Sequence, residues 1–181
     1  MTETMKMTPV MEKFVVHWGE MGAKWGINRS VAQIHALLFI GGRPLPANEI
    51  SELLSIARSN VSTGLKELQG WGIVRNIQLL GDRRDHFEAL SDVWETFRLI
   101  LAERKRREAD PTLRLLRECV DEAGKIKKPS AVDSTAQLRL TEMLEFFEVS
   151  NNWGERASAM SPKTIKRLAQ MGDSVFRLAG G

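Results

Sequence analysis

What is scarce in this chain excludes more than its abundant residues suggest. A single cysteine, Cys119, stands among 181 residues, which rules out an internal disulfide framework and any zinc site built from several thiolates. Cys119 lies beside the apolar positions Leu116 and Val120, where a small buried hydrophobe is expected rather than a redox-sensing thiol. No segment approaches the roughly 18 consecutive apolar residues of a membrane-spanning helix. The opening MTETMKMTPVMEKF also lacks the apolar centre of a signal peptide. A reduced, soluble, cytoplasmic protein is the expectation. Histidine is equally sparse: His17, His35 and His86 are scattered, with no HExxH pair, no glycine-rich phosphate loop and no GxSxG turn. Neither an enzyme nor a cofactor or metal is expected. Charge of one sign is not in excess, since 26 Lys and Arg face 23 Asp and Glu for a net +3. Affinity for nucleic acid would need those cations to cluster on one face.

What is present suits a folded helical protein. Apolar residues make up 43% of the chain, enough for a core. From Pro9, with Thr8 as cap, Val10, Phe14, Val15, Trp18, Met21, Gly22 and Trp25 recur at helical spacing until Gly26. A second helix is expected over Ser30–Phe39, with Val31, Ile34, Leu37 and Leu38 inward, broken at Gly41-Gly42-Arg43-Pro44. Beyond residue 90, Ser91 is expected to cap a helix that ends in the basic run Glu103-Arg104-Lys105-Arg106-Arg107. Asp110-Pro111 would then restart a helix running to Gly124. The basic run reads as cations complementing a helix C-terminus more readily than as a DNA flank. After the linker Lys125–Ser130, helices are expected over Ser134–Glu155 and from Ser161-Pro162. The last would carry the stripe Ile165, Leu168, Ala169, Gly172, Val175, Phe176 and Ala179. Terminal helices this apolar require a partner, and a two-fold dimer is the economical one.

The informative stretch is Leu45–Leu90. Ala47–Leu54 reads as a short helix, Ser55-Ile56-Ala57 as a turn, and residues 58–71 as a second helix burying Val61, Leu65 and Leu68. Its opposite face carries Arg58, Ser59, Asn60, Ser62, Thr63 and Lys66. The four short polar side chains can approach base edges, and the two cations can reach phosphates or guanine. A plainer reading makes this a solvated face whose serines cap the helix. Residues 73–90 then read as a hairpin, with strands Ile73–Leu79 and His86–Leu90 around Gly81-Asp82-Arg83-Arg84-Asp85. Two arginines at a hairpin tip suit a wing lying in a minor groove or along phosphates. Asp82 and Asp85 could hold their guanidinium groups.

This order resembles the MarR-type winged-helix regulators, in which a helix-turn-helix is followed by an L-x-x-x-G-[ILV]-[IV]-x-R passage and a D-x-R wing. Leu68 to Arg75 and Asp82-Arg83-Arg84 stand at those places. The GDRRDHFEAL wing, the Trp18-Gly19 and Trp25-Gly26 pairs and the length beyond the wing look most like the GbsR branch. The motif-bearing match covers Ala32–Leu90, and the ends match only in helical character.

The expected fold is mainly α with a small β-hairpin wing. Residues 1–27 would form a dimerisation helix, 28–90 the winged helix-turn-helix, and 91–181 a second dimerisation and effector region. The expected function is a dimeric repressor that reads double-stranded DNA. A winged-helix adaptor that never touches DNA stays open beside it. The resemblance also implies an effector, a quaternary amine or osmolyte, held by cation–π contacts from Trp18, Trp25, Trp94, Phe97 and Phe147. Phe146 and Trp153 belong to the same aromatic set. Core and dimer interface are the commoner uses of such aromatics.

Overall fold

The computed structural model describes residues 5–171. The chain divides into two compact units, Met1–Ile100 and Leu101–Gly181. In the first, helix α1 (Pro9–Lys24) begins as its cap residues dictate, with Thr8 Oγ1 accepting the Met11 amide. Helix α2 (Arg29–Gly41) is capped by Asn28, whose Oδ1 accepts the Ser30 amide at 2.9 Å. It ends at Gly42, whose φ of 62° favours glycine. α1 and α2 pack closely because Gly19 and Gly22 face α2; a Cβ on Gly22 would lie 2.6 Å from that of Ala32.

More of α2 is buried than one apolar stripe predicts. Val31, Ala32, Ile34, His35, Ala36, Leu37 and Leu38 are all enclosed, since α1 and α4 both pack on it. Helix α3 (Ala47–Leu54) leads through a turn into helix α4 (Arg58–Gly70). In that turn Ser55 adopts φ 53°, and Ser51 Oγ donates to the Ile56 carbonyl at 2.6 Å, holding the bend. α4 buries Val61, Gly64, Leu65 and Leu68.

A strand that periodicity did not reveal completes the sheet. Strands β1 (Leu45–Pro46), β2 (Val74–Ile77) and β3 (His86–Ala89) form an antiparallel sheet in the order β1-β3-β2. Leu45 and Pro46 pair with Phe87 and His86, while Val74 and Ile77 pair with Ala89 and His86. Two residues carry no alternation to read. The first wing strand is shorter than the expected Ile73–Leu79, because the Leu79 carbonyl accepts the Asp82 amide and starts the turn. One core joins these pieces: Ile34, Leu37, Leu45, Ile50, Val61, Leu65, Leu68 and Ile73 are almost wholly enclosed, with Phe87 and Ala89 packed against them.

Two expectations about the next helices are corrected. Helix α5 (Val93–Arg104) is capped by Asp92 rather than Ser91, since Asp92 Oδ1 accepts the amides of Trp94 and Glu95 at 2.8 and 3.1 Å. The carboxylate is the stronger acceptor and sits one residue nearer. The backbone does not break at Asp110-Pro111 either. A π-turn over Lys105–Ala109 carries it into helix α6 (Asp110–Gly124). Proline lacks an N–H and its ring crowds the carbonyl four residues back, and a widened turn absorbs both defects without ending the helix.

In the second unit α6 packs on helix α7 (Ala131–Ala159). The Ser130 hydroxyl accepts the Asp133 amide and the Asp133 carboxylate accepts the Ser130 amide, a reciprocal cap that starts α7 before the expected Ser134. α7 leaves Phe146, Val149 and Trp153 exposed. Helix α8 (Pro162–Met171) follows, with Ser161 as its cap. Gly172, Val175, Phe176 and Ala179 of the expected stripe lie outside the described residues. No helix is long and apolar enough to cross a membrane among the described residues.

Candidate nucleic-acid interface

α4 displays its polar face because its apolar one is committed. Val61, Leu65 and Leu68 turn into the core, and a Cβ on Gly64 would come within 2.7 Å of Ile34 Cδ1. This close seat on α2 fixes the height and rotation of α4. Arg58, Ser59, Asn60, Ser62, Thr63 and Lys66 are consequently all exposed on the far side. The start of α4 has an alanine, Ala57, at its cap position and no side-chain cap. The serines therefore do not cap α4. The first amides of α4 instead stay open to an outside acceptor such as a phosphate oxygen.

At the wing tip Asp82 organises Arg84. Arg84 Nε donates to both Asp82 oxygens at 3.0 Å, Nη2 donates at 2.6 Å, and the Arg84 amide donates to Oδ1 at 3.0 Å. Hydrogen bonds from that guanidinium and amide, reinforced by its charge, hold the Asp82 carboxyl far below the usual carboxylate range. The Arg84 guanidinium is held charged by the same contacts. Asp85 does not share this work as expected: its Oδ1 accepts from Gln78 Nε2 at 2.9 Å. The reason is the turn itself, in which Gly81 at φ 85° folds Asp82 back over Arg84 while Asp85 faces β2. Arg58, Lys66 and Arg83 have no hydrogen-bond or ion-pair partner among the described residues.

Between α4 and the wing lies a groove of about 500 Å³, whose lining includes Ser62, Lys66, Gln69, Asn76 and Arg84. Ser62, Lys66 and Arg84 were expected from the sequence, and the fold brings them to one surface. Asn76 and Gln69 were not foreseen; the register pairing Asn76 with Phe87 turns Asn76 toward α4, and no local signal carries that. Leu80, fully exposed beside the wing turn, was also unforeseen.

Residues 25–85 match the MarR family. The matched segment covers α2, the helix-turn-helix and most of the wing. The fold also matches a protein described as a transcriptional regulator, at 20% identity and a TM-score of 0.64 over 90% of this chain and 99% of that one. At that identity the likeness establishes the winged-helix fold. Looser overlaps include an S. aureus MepR mutant bound to an oligodeoxyribonucleotide, at 15% identity and a TM-score of 0.38 over 75% of this chain and 88% of that one. NadR in complex with 4-hydroxyphenylacetate overlaps at 18% identity and a TM-score of 0.37, over 70% of this chain and 100% of that one. Overlaps this partial carry no argument for this chain. No curated protein matches it.

The remaining sequence candidates fall in both units. Trp18 leans on Phe14, ring centres 5.4 Å apart, and packs against the core. Trp25, Trp94 and Phe97 are exposed. In the second unit Phe147 meets Phe146 edge-on. Cys119 is half-buried and in no disulfide among the described residues. The basic run is not a helix end. Arg104 binds Glu108, Lys105 binds Asp110 and Glu155, and Arg106 binds Glu103.

Proposed function

We propose that the chain is a homodimeric, sequence-specific DNA-binding transcriptional regulator that represses by occluding a promoter. The observation that carries this reading is the joint display of an uncapped, polar α4 and an arginine wing on one surface, with the side chains of Arg58, Lys66 and Arg83 left without partners among the described residues. α4 enters the major groove, where Ser59, Asn60, Ser62 and Thr63 meet base edges and Arg58 and Lys66 meet phosphates or guanine. The wing lies on the adjacent minor groove or backbone, with Arg83 and Arg84 at the phosphates and Asp82 orienting them.

Residues 28–90 are the reading module, and 1–27 with 91–181 are the dimerisation parts. The uncovered Phe146, Val149 and Trp153 of α7 support a second copy. The GbsR-like features add an effector, a quaternary amine or osmolyte, for which the exposed rings of Trp25 and Phe97 offer cation–π surface, with Trp18, Trp94 and Phe147 as the other aromatic candidates. A regulator of this kind works in the cytoplasm.

Retention of the purified chain on random-sequence duplex DNA at low salt, with release at moderate salt, is the expected result. Absence of any DNA binding at low ionic strength would instead favour a protein-binding adaptor, which the net +3 also allows. A thermal-shift screen of quaternary amines tests the effector, since a true ligand raises the melting temperature by mass action.

A further inference from the structure

His86 is the unexplained group at the wing. It sits on the central strand β3 with only 3% of its surface exposed, yet it is neither in the apolar core nor on the DNA-facing surface. Its flanking strand partners, Pro46 and Ile77, offer its ring no polar atom in their side chains. The wing turn does. Nδ1 lies 2.9 Å from the Arg84 carbonyl oxygen, and Nε2 lies 3.4 Å from Asp82 Oδ2.

Both of those atoms are acceptors. A neutral imidazole carries one N–H and can satisfy only one of them; its other nitrogen then turns a lone pair toward an oxygen. An imidazolium carries two N–H groups and satisfies both. The two residues it would tie, Asp82 and Arg84, are the same two whose mutual hydrogen bonds set the wing tip.

We propose that His86 is a positioning residue for the wing arginine, and that its protonation locks the wing tip and tightens DNA binding. The imidazolium clamps the Arg84 carbonyl and the Asp82 carboxylate together from beneath, and it adds one positive charge under a surface meant for phosphates. The other charged groups around it are each held in an ion pair. Asp82 is held ionised by Arg84. Glu88, on the same face of β3, is paired with Arg75 at 2.5 Å. Glu49, in the first turn of α3, is paired with Arg43 at 2.7 Å and exerts a favourable field on Arg84. Of the other histidines, His35 is pushed by burial to about 4 and is silent in this range, and His17 lies exposed on α1, away from the sheet.

The proposal rests on the DNA-binding reading, and two measurements separate their fates. In the first, anisotropy of a labelled random-sequence duplex is followed with the full chain at fixed ionic strength between about pH 8 and about pH 6, the range in which a histidine changes charge. Affinity should rise roughly fivefold on acidification, as expected for one added cation at a phosphate surface. His86→Gln, which keeps one donor and cannot titrate, should flatten the profile, and an undiminished slope in that variant would overturn the proposal. In the second, imidazole and guanidinium nitrogen NMR of the wild-type chain needs neither DNA nor a stable variant. Exchange of the Arg84 Nε–H, taken relative to that of the neighbouring Arg83 Nε–H so that base catalysis cancels, should slow as the His86 ring becomes doubly protonated. Indifference of that ratio to pH overturns the clamp, whereas a slowing of Arg84 relative to Arg83 in a chain that binds no DNA sustains the clamp and rejects only the DNA reading.

Discussion

The chain has two arginine-rich segments, and they behave oppositely. At the wing tip, the Arg83 side chain has no partner among the described residues and Arg84 is held on a single aspartate with its charge turned outward. In the π-turn region, Arg104, Lys105 and Arg106 each meet carboxylates. The second run is the denser in the sequence, so density of charge is the wrong guide. On a helix, a residue three or four positions away shares the same face, and an intervening Glu neutralises a cation by geometry alone. A hairpin tip has no such neighbours. Its cations stay available unless something is placed to hold them, and among the described residues Asp82 alone does so, for Arg84.

The difference can be broken or sharpened by substitution. The largest effect is expected from Gly64→Val, which removes the platform for one side of the comparison. The new side chain meets Ile34, itself wholly buried, and overpacking of this kind costs about 1–3 kcal/mol while lifting α4 from α2. Urea unfolding measures the first consequence and loss of DNA binding the second. Arg84→Ala comes next, with affinity falling about tenfold for every sequence and the salt slope shrinking by about one contact. Asn60→Ala should give a similar loss on an operator but little on random DNA, because a base contact discriminates and a phosphate contact does not. Equal losses on both would move Asn60 to the backbone. Asp82→Asn should weaken binding severalfold while leaving the net charge more favourable, a combination that only lost orientation of Arg84 explains. The smallest effect is expected from Arg106→Ala. Paired with Glu103 and exposed, it should change stability by under about 1 kcal/mol and DNA affinity not measurably. A DNA defect in Arg106→Ala as large as that in Arg84→Ala would erase the distinction between the two segments.

Acid should act on the fold through His35. Burial lowers its pKa to about 4, so the unfolded chain binds that proton more readily than the folded one. Stability is therefore at its full value above the ordinary histidine range and declines as pH falls from about 6.5 toward about 4. His35→Leu should remove this part of the acid sensitivity in melting curves. An unchanged pH dependence of the melting temperature would assign the loss to other groups.

Much of this was legible residue by residue. Thr8-Pro9 marked the start of α1, the glycines at 41 and 42 marked the end of α2, and the spacing of Val61, Leu65 and Leu68 separated the two faces of α4. These signals are local, since caps, turns and helical periods depend on residues within a few positions of each other. β1 was not legible because two residues have no period, and Asn76 was not because its direction follows from the register with β3. The cap at Asp92 and the passage through Pro111 were misjudged for another reason. Two capping residues stood side by side, and a π-turn offered proline a way to stay helical.

By itself, then, the sequence determined the helix-turn-helix, the polar face of α4 and an arginine-bearing turn, because hydrophobic period and turn chemistry act over short distances. Tertiary structure alone decided how that surface is assembled. It seats α4 on α2 through Gly64 and sets both nitrogens of His86 against acceptors of the wing turn. Each of those outcomes depends on distances between atoms that no residue spacing records.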